Sequence, residues 1–95
     1  MNNPAADDRR AMRLRRLRFR VWHRGMREVD LLLGRFADAR LDELNDEEIA
    51  DFETLLDIPD RQVLAWTIGE EPVPEPNNTP LMRSIIAFHD RRSGR

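Results

Sequence analysis

Apolar residues recur at helical spacing along most of the chain, and no stretch keeps the period-two alternation that a half-buried strand needs. From Asp8 to about Trp22 there is no glycine or proline, and Leu14, Leu17 and Val21 fall on one face. Phe19 and Trp22 widen that stripe, while Arg9, Arg13, Arg16 and Arg20 decorate the other side. Asp7 or Asp8 can cap the start of this helix. Gly25 interrupts it. A second helix is predicted from Met26 to about Leu41, with Val29, Leu32, Leu33 and Phe36 inward and Leu31 and Ala37 alongside. Gly34 sits inside this helix at a cost of about 1 kcal/mol relative to alanine, which points to close packing or a bend. The triplet Leu31-Leu32-Leu33 suggests burial against more than one neighbour.

Asn45, with Glu48 three residues on, has the spacing of a capping box and opens a third helix reaching about Asp57. Its apolar face is Ile49, Phe52, Leu55 and Leu56. Asp60 is the expected cap of a short fourth helix, with Val63, Leu64 and Trp66 or Thr67 inward and Gly69 as its stop. Residues 70–76 (EEPVPEP) form an extended, semi-rigid connector. Thr79 then caps a fifth helix whose first position is Pro80, with Leu81, Ile85 and Phe88 on its face and Arg91 and Arg92 near its end. The pattern predicts an all-α protein, a small five-helix bundle in a single domain spanning residues 1–95, with residues 1–7 and 93–95 disordered.

Composition narrows the chemistry. The chain has no cysteine, so a disulfide framework, a thiolate metal site and a cysteine nucleophile are excluded. His23 and His89 stand far apart in sequence and suggest no zinc site, and neither Ser84 nor Ser93 lies in a Gly-x-Ser-x-Gly elbow. Neither a phosphate loop nor a nucleophile–base pair is visible, so the chain is not expected to be an enzyme. No run of 18 apolar residues occurs, so no membrane insertion is expected. An arginine-rich helix near the start invites a transit-peptide reading, but Asp7 and Asp8 argue against it, and the bacterial cytoplasm is the expected location. All 16 basic residues are arginine. The net charge of −2 hides a segregation: residues 1–36 carry +6, residues 37–76 carry −11 and residues 77–95 carry +3. Such a pattern favours a dipolar surface and steering towards a partner.

The order of elements then bears on one motif. A basic helix leads into RGMREVD (Arg24 to Asp30), an apolar stretch ending in Phe36 comes next, an acidic capped helix follows, and a short helix with Trp66 precedes the final one. From about Arg16 to Arg92 this succession resembles the SdhE family of bacteria, whose mitochondrial relatives assist assembly of succinate dehydrogenase. Arg24, Gly25 and Glu28 carry its most specific element, Arg-Gly-x-x-Glu. The resemblance implies a five-helix FAD assembly factor, chaperone-like, that binds the flavoprotein subunit of succinate dehydrogenase, and often of fumarate reductase. Such a factor promotes covalent attachment of FAD to a histidine of that partner. It further implies that no cofactor is stably bound here, because the chemistry belongs to the partner's FAD; a monomer is the default expectation.

The candidate partner-binding residues are Trp22, His23, Arg24, Gly25, Met26, Arg27, Glu28 and Asp30. Each has a plainer reading. Gly25 can serve only as a positive-φ junction or a flexible N-cap, Glu28 as the reaching residue of a capping box, and Arg24 as its surface ion-pair partner. Asp30 can be merely solvated, His23 can end a helix, and Trp22 is either core or an exposed hot spot. Trp66 reads as a core anchor. The main rival function is a basic-helix nucleic-acid-binding module, or an antitoxin-like protein-interaction module. Against nucleic acid stand the acidic middle of the chain and a sequence pI of about 5.7.

Overall fold

The computed structural model describes residues 4–92. Helix α1 spans Pro4–Trp22, beginning four residues before the expected start at Asp8. Proline is tolerated in a first helical turn, and both aspartates lie inside the helix rather than before it. Asp7 falls inside the first turn, where it complements the helix dipole without capping. Of the segments expected to be disordered, residues 1–3 and 93–95 lie outside the described residues, and the chain is helical from Pro4.

Helix α2 covers Arg27–Arg40 and continues into a single 3-10 turn at Leu41–Glu43. Helix α3 covers Asp46–Leu55, with the expected Asn45–Glu48 capping box closed from both sides: Glu48 N–H donates to Asn45 Oδ1 at 2.8 Å and Asn45 N–H to Glu48 Oε1 at 3.0 Å. Helix α4 covers Asp60–Thr67. It ends as expected on Gly69, whose φ of +83° lets Glu70 N–H fold back onto the Ala65 carbonyl at 2.9 Å. The proline-rich connector includes one 3-10 turn, Glu75–Asn77, which tolerates Pro76 within the first turn where no donor is required. Helix α5 covers Pro80–Arg92, and the Thr79 hydroxyl accepts from Met82 N–H at 3.1 Å as its cap.

The elements form one all-α globule, with no strand among the described residues. Partners such as Trp22–Gly34 and Arg18–Asp38 show α2 running back along α1. The pairs Arg10–Asp46, Arg13–Glu53 and Arg20–Asp57 set α3 alongside α1 in the same direction. Phe36 of α2 stands at the centre of the core, 6.0 Å from the Phe52 ring of α3 and 5.6 Å, edge on, from Phe88 of α5. Around it are buried Leu17, Val21, Val29, Leu33, Ile49, Val63 and Ile85, and Trp66 is the core anchor expected of it.

Two sequence expectations change here. Phe19 does not widen the core stripe of α1 but is 64% exposed. Its position lies on the side of the helix away from Leu14, Leu17 and Val21, which suffice to cover α2 and α3. The charge segregation is also partly consumed within the fold. The α1 arginines Arg10, Arg13, Arg18 and Arg20 reach acids of α2, α3 and the adjoining loops, so the acidic middle and basic start lie against each other.

Candidate functional site at the Arg24–Gly25 turn

Four residues, His23 to Met26, join α1 to α2. Gly25 takes φ +110°, a conformation that L side chains rarely adopt, and a Cβ built there would find nothing within 4 Å. Glycine is therefore required by the backbone, and the space beside it is left open to whatever approaches.

Arg24 holds the turn in place. Its Nη1 donates to the Leu56 carbonyl at 2.7 Å, its Nη2 to the Ile58 carbonyl at 2.6 Å, and its Nε to Asp60 Oδ1. The guanidinium thus sits on the carbonyls that end α3, where positive charge suits the helix dipole, and pairs with the carboxylate that begins α4. Only 10% of the Arg24 side chain and 18% of Asp60 is exposed. Arg24 N–H in turn donates to Asp30 Oδ1 at 3.0 Å, tying the turn to the first coils of α2.

This geometry corrects several expectations. Arg24 makes no surface pair with Glu28; its donors point inward, so it shapes the turn rather than standing on its outer face. Asp60 does not cap α4: Pro59 is the N-cap residue, and Asp60 is the first helical residue, turned to Arg24. Glu28 does not close a capping box, because Met26 rather than Gly25 precedes the helix and Glu28 then falls at the second position, one short of the reach required. Asp30 is half-buried and occupied by the Arg24 amide instead of being merely solvated.

Arg27 and Glu28 are exposed, and their side chains form no ion pair or hydrogen bond among the described residues. Met26 is half-buried, with part of its side chain against the core. Met26 and Glu28 form one wall of an open groove of about 630 Å³, whose other side carries Gln62, Leu64 and Glu71. On the α1 side of the turn, Trp22 is half-buried over the Gly34 backbone, and its Nε1–H reaches Asp38 Oδ1 at 3.4 Å. Trp22 is thus part of the α1–α2 joint as well as its edge. His23 is exposed, stacked on Phe19 with ring centroids 4.0 Å apart, and its Nδ1–H donates to the Phe19 carbonyl at 2.7 Å. The structure thus brings Gly25, Arg27, Glu28 and His23 to one exposed corner, with Met26 at its edge and Trp22, Arg24 and Asp30 behind it. Two members escape sequence reading: Asp60, hidden behind its helix-start signature, and Phe19, which the apolar stripe absorbed.

Among the described residues no group of three histidine, aspartate or glutamate side chains is placed to hold a metal ion, and no helix is long and apolar enough to cross a membrane.

Residues 15–89 match the family described as flavinator of succinate dehydrogenase. The chain belongs to that family. It is similar to the FAD assembly factor SdhE of Acetobacter pasteurianus, with 42% identity over 94% of this chain and 82% of the relative. The SdhE of Shewanella oneidensis is 34% identical over 84% of this chain and 93% of its own length. The mitochondrial succinate dehydrogenase assembly factor 2 of Schizosaccharomyces pombe is 38% identical over 77% of this chain, which spans about half (52%) of that longer protein. No solved structure matches the chain. Within the flavinator family, the Arg-Gly-x-x-Glu element of this member is a clamped turn: one arginine anchored inward, one glycine open, and one glutamate outward.

Proposed function

We propose that this protein is a chaperone-like assembly factor that binds the flavoprotein subunit of succinate dehydrogenase and promotes covalent attachment of FAD to a histidine of that subunit. The flavoprotein of fumarate reductase is a second client, and the factor acts as a monomer in the bacterial cytoplasm. It is not an enzyme and holds no flavin of its own. The reading is supported by the names of the relatives, FAD assembly factor and succinate dehydrogenase assembly factor. The observation that carries it is the Gly25 turn. A backbone at φ +110° with open space beside it lets a partner's surface approach closely, while Arg27 and Glu28 stand ready at the same corner.

A factor of this kind needs no reactive group. A histidyl–flavin bond forms when the flavin methyl group gives up a proton, the acceptor histidine of the client adds to that carbon, and the flavin ring takes up the electron pair and two protons as its reduced form. The histidine and the methyl carbon must therefore meet in attack geometry. Correct placement of reacting groups is worth about 7–11 kcal/mol relative to a mobile site. A protein that binds the competent arrangement of the flavoprotein more tightly than the incompetent one shifts the population towards it. The turn suits that role because hydrogen bonds of Arg24 and Asp30 already tie it to α2 and to the end of α3, and a site organised in advance pays less for ordering on contact.

Covalently bound flavin, read as fluorescence of the flavoprotein on a denaturing gel with and without this gene, tests the function. Equal fluorescence in both lanes, or acceleration of flavinylation without any binding to the flavoprotein, would overturn it.

A further inference from the structure

Helix α1 carries a second stripe that its own fold leaves uncovered. With about 3.6 residues per turn, Met12, Arg16, Phe19 and His23 align along the side opposite Leu14, Leu17 and Val21. Met12 is 49% and Phe19 64% exposed, and they are the two large apolar side chains that the described residues leave in solvent. Phe19 is held there: its ring stacks on His23 at 16° between planes, and the His23 Nδ1–H is bonded to the Phe19 carbonyl. An aromatic side chain fixed in one position loses little freedom when a partner covers it, a property of interface hot spots.

The charges divide in the same way. Arg10, Arg13, Arg18 and Arg20, on the flanks of α1, are paired with acids of this chain. Arg9, Arg15 and Arg16 surround Met12 on the outer side, and their side chains form no ion pair or hydrogen bond among the described residues. Where the stripe meets the Gly25 turn, a recess of about 320 Å³ opens between Phe19, His23, Arg24 and Leu56, with room for a side chain of a partner. The stripe and the turn are continuous.

We infer that the outer face of α1 is the second half of the docking surface, resting on the flavoprotein reading proposed above. Its occupant is a patch of the flavoprotein in which an apolar recess receives Phe19, with Met12 alongside, and in which carboxylates meet Arg9, Arg15 and Arg16. An anionic membrane also attracts a basic helix, but interfacial helices bury a broad apolar face. Two apolar side chains with an arginine between them make a narrow one, suited to a recess rather than to a lipid surface.

Binding of the full chain to the purified flavoprotein subunit, by calorimetry, with Phe19→Ala, Met12→Ala, Arg9→Gln/Arg15→Gln/Arg16→Gln and Gly25→Arg, tests this. Phe19→Ala is expected to weaken binding tenfold or more and Met12→Ala severalfold, with helicity unchanged because both side chains are exposed. The triple arginine variant is expected to flatten the salt dependence of association. Wild-type affinity in the Phe19 and Met12 variants, beside a weakened Gly25→Arg, overturns the inference and leaves the flavoprotein reading standing. No binding by the unaltered chain overturns both. Loss on Phe19→Ala seen with vesicles of anionic phospholipid but not with the flavoprotein assigns the face to a membrane and overturns the inference.

Discussion

The fused edge of the Trp22 indole lies directly against the backbone of Gly34, so close that a methyl group at residue 34 would overlap it. The contact sets how tightly α1 and α2 approach. Gly34→Ala gains about 1 kcal/mol of helix propensity, but the indole is a rigid ring wedged between helices and must be displaced. Net destabilisation of about 1–2 kcal/mol is expected from the overpacking that follows. Urea unfolding checks this, and pairing Gly34→Ala with Trp22→Leu should recover part of the loss, since the two sites share one contact.

Arg24 supplies the second prediction. Arg24→Ala leaves the Leu56 and Ile58 carbonyls and the Asp60 carboxylate without their partner, all in a region where little side-chain surface is exposed. A loss of about 2–4 kcal/mol is expected, between that for an unsatisfied group and that for a broken buried pair. Arg24→Lys should recover less than half, because one ammonium cannot serve three acceptors in a fixed fork. For a domain of this size the Ala variant should melt roughly 10–25 °C lower.

Gly25 separates fold from function. Any L-residue at φ +110° is strained at about 1–3 kcal/mol, yet a Cβ there meets no atom of the chain within 4 Å. Gly25→Ala is expected to keep its helical circular dichroism and unfold at lower urea. Gly25→Arg should do the same and in addition abolish binding to the flavoprotein. Collapse of the helical signal in Gly25→Arg would return the residue to a purely structural role.

A fourth prediction concerns acid. The two-point hydrogen bond from Arg13, at 2.6 and 3.0 Å, holds the Glu53 carboxyl below the usual carboxylate range, against a smaller opposing effect of desolvation. A folded value below the unfolded one means the stabilisation is fully present above the unfolded value near 4.3 and is lost as pH falls through the lower folded value. The pair is about one-third exposed on both sides, so its contribution is discounted to about 0.5–1 kcal/mol. The stability difference between the natural chain and Glu53→Gln, measured by urea at pH 7 and at pH 3, should shrink at the lower value.

Much of the fold was legible because its signals are local. The Asn45–Glu48 box, the Thr79–Pro80 start and the Gly69 stop each lie within a few residues and closed as their spacing required. Gly34 pointed to close packing, although the Trp22 that fills the space lies a helix away. What escaped reading was tertiary. Asp60 carries the signature of a cap but answers to Arg24, 36 residues earlier. Phe19 lies among residues of a core helix, and only the burial of Leu14, Leu17 and Val21 decides that it faces outward. The capping-box reading of Glu28 fails by a single residue of helix phase, since Met26 and not Gly25 precedes the first turn.

The clamp on the turn also imposes an order in time. The acceptors of the Arg24 side chain follow it by 32 to 36 residues. During synthesis the chain is made from its N-terminus at about 5–20 residues per second, so α1 and the glycine turn are made seconds before Leu56, Ile58 and Asp60. Until then the Arg24 guanidinium lacks the three acceptors that hold it in the fold. The turn is therefore completed only when the segment from Leu56 to Asp60 has joined the fold.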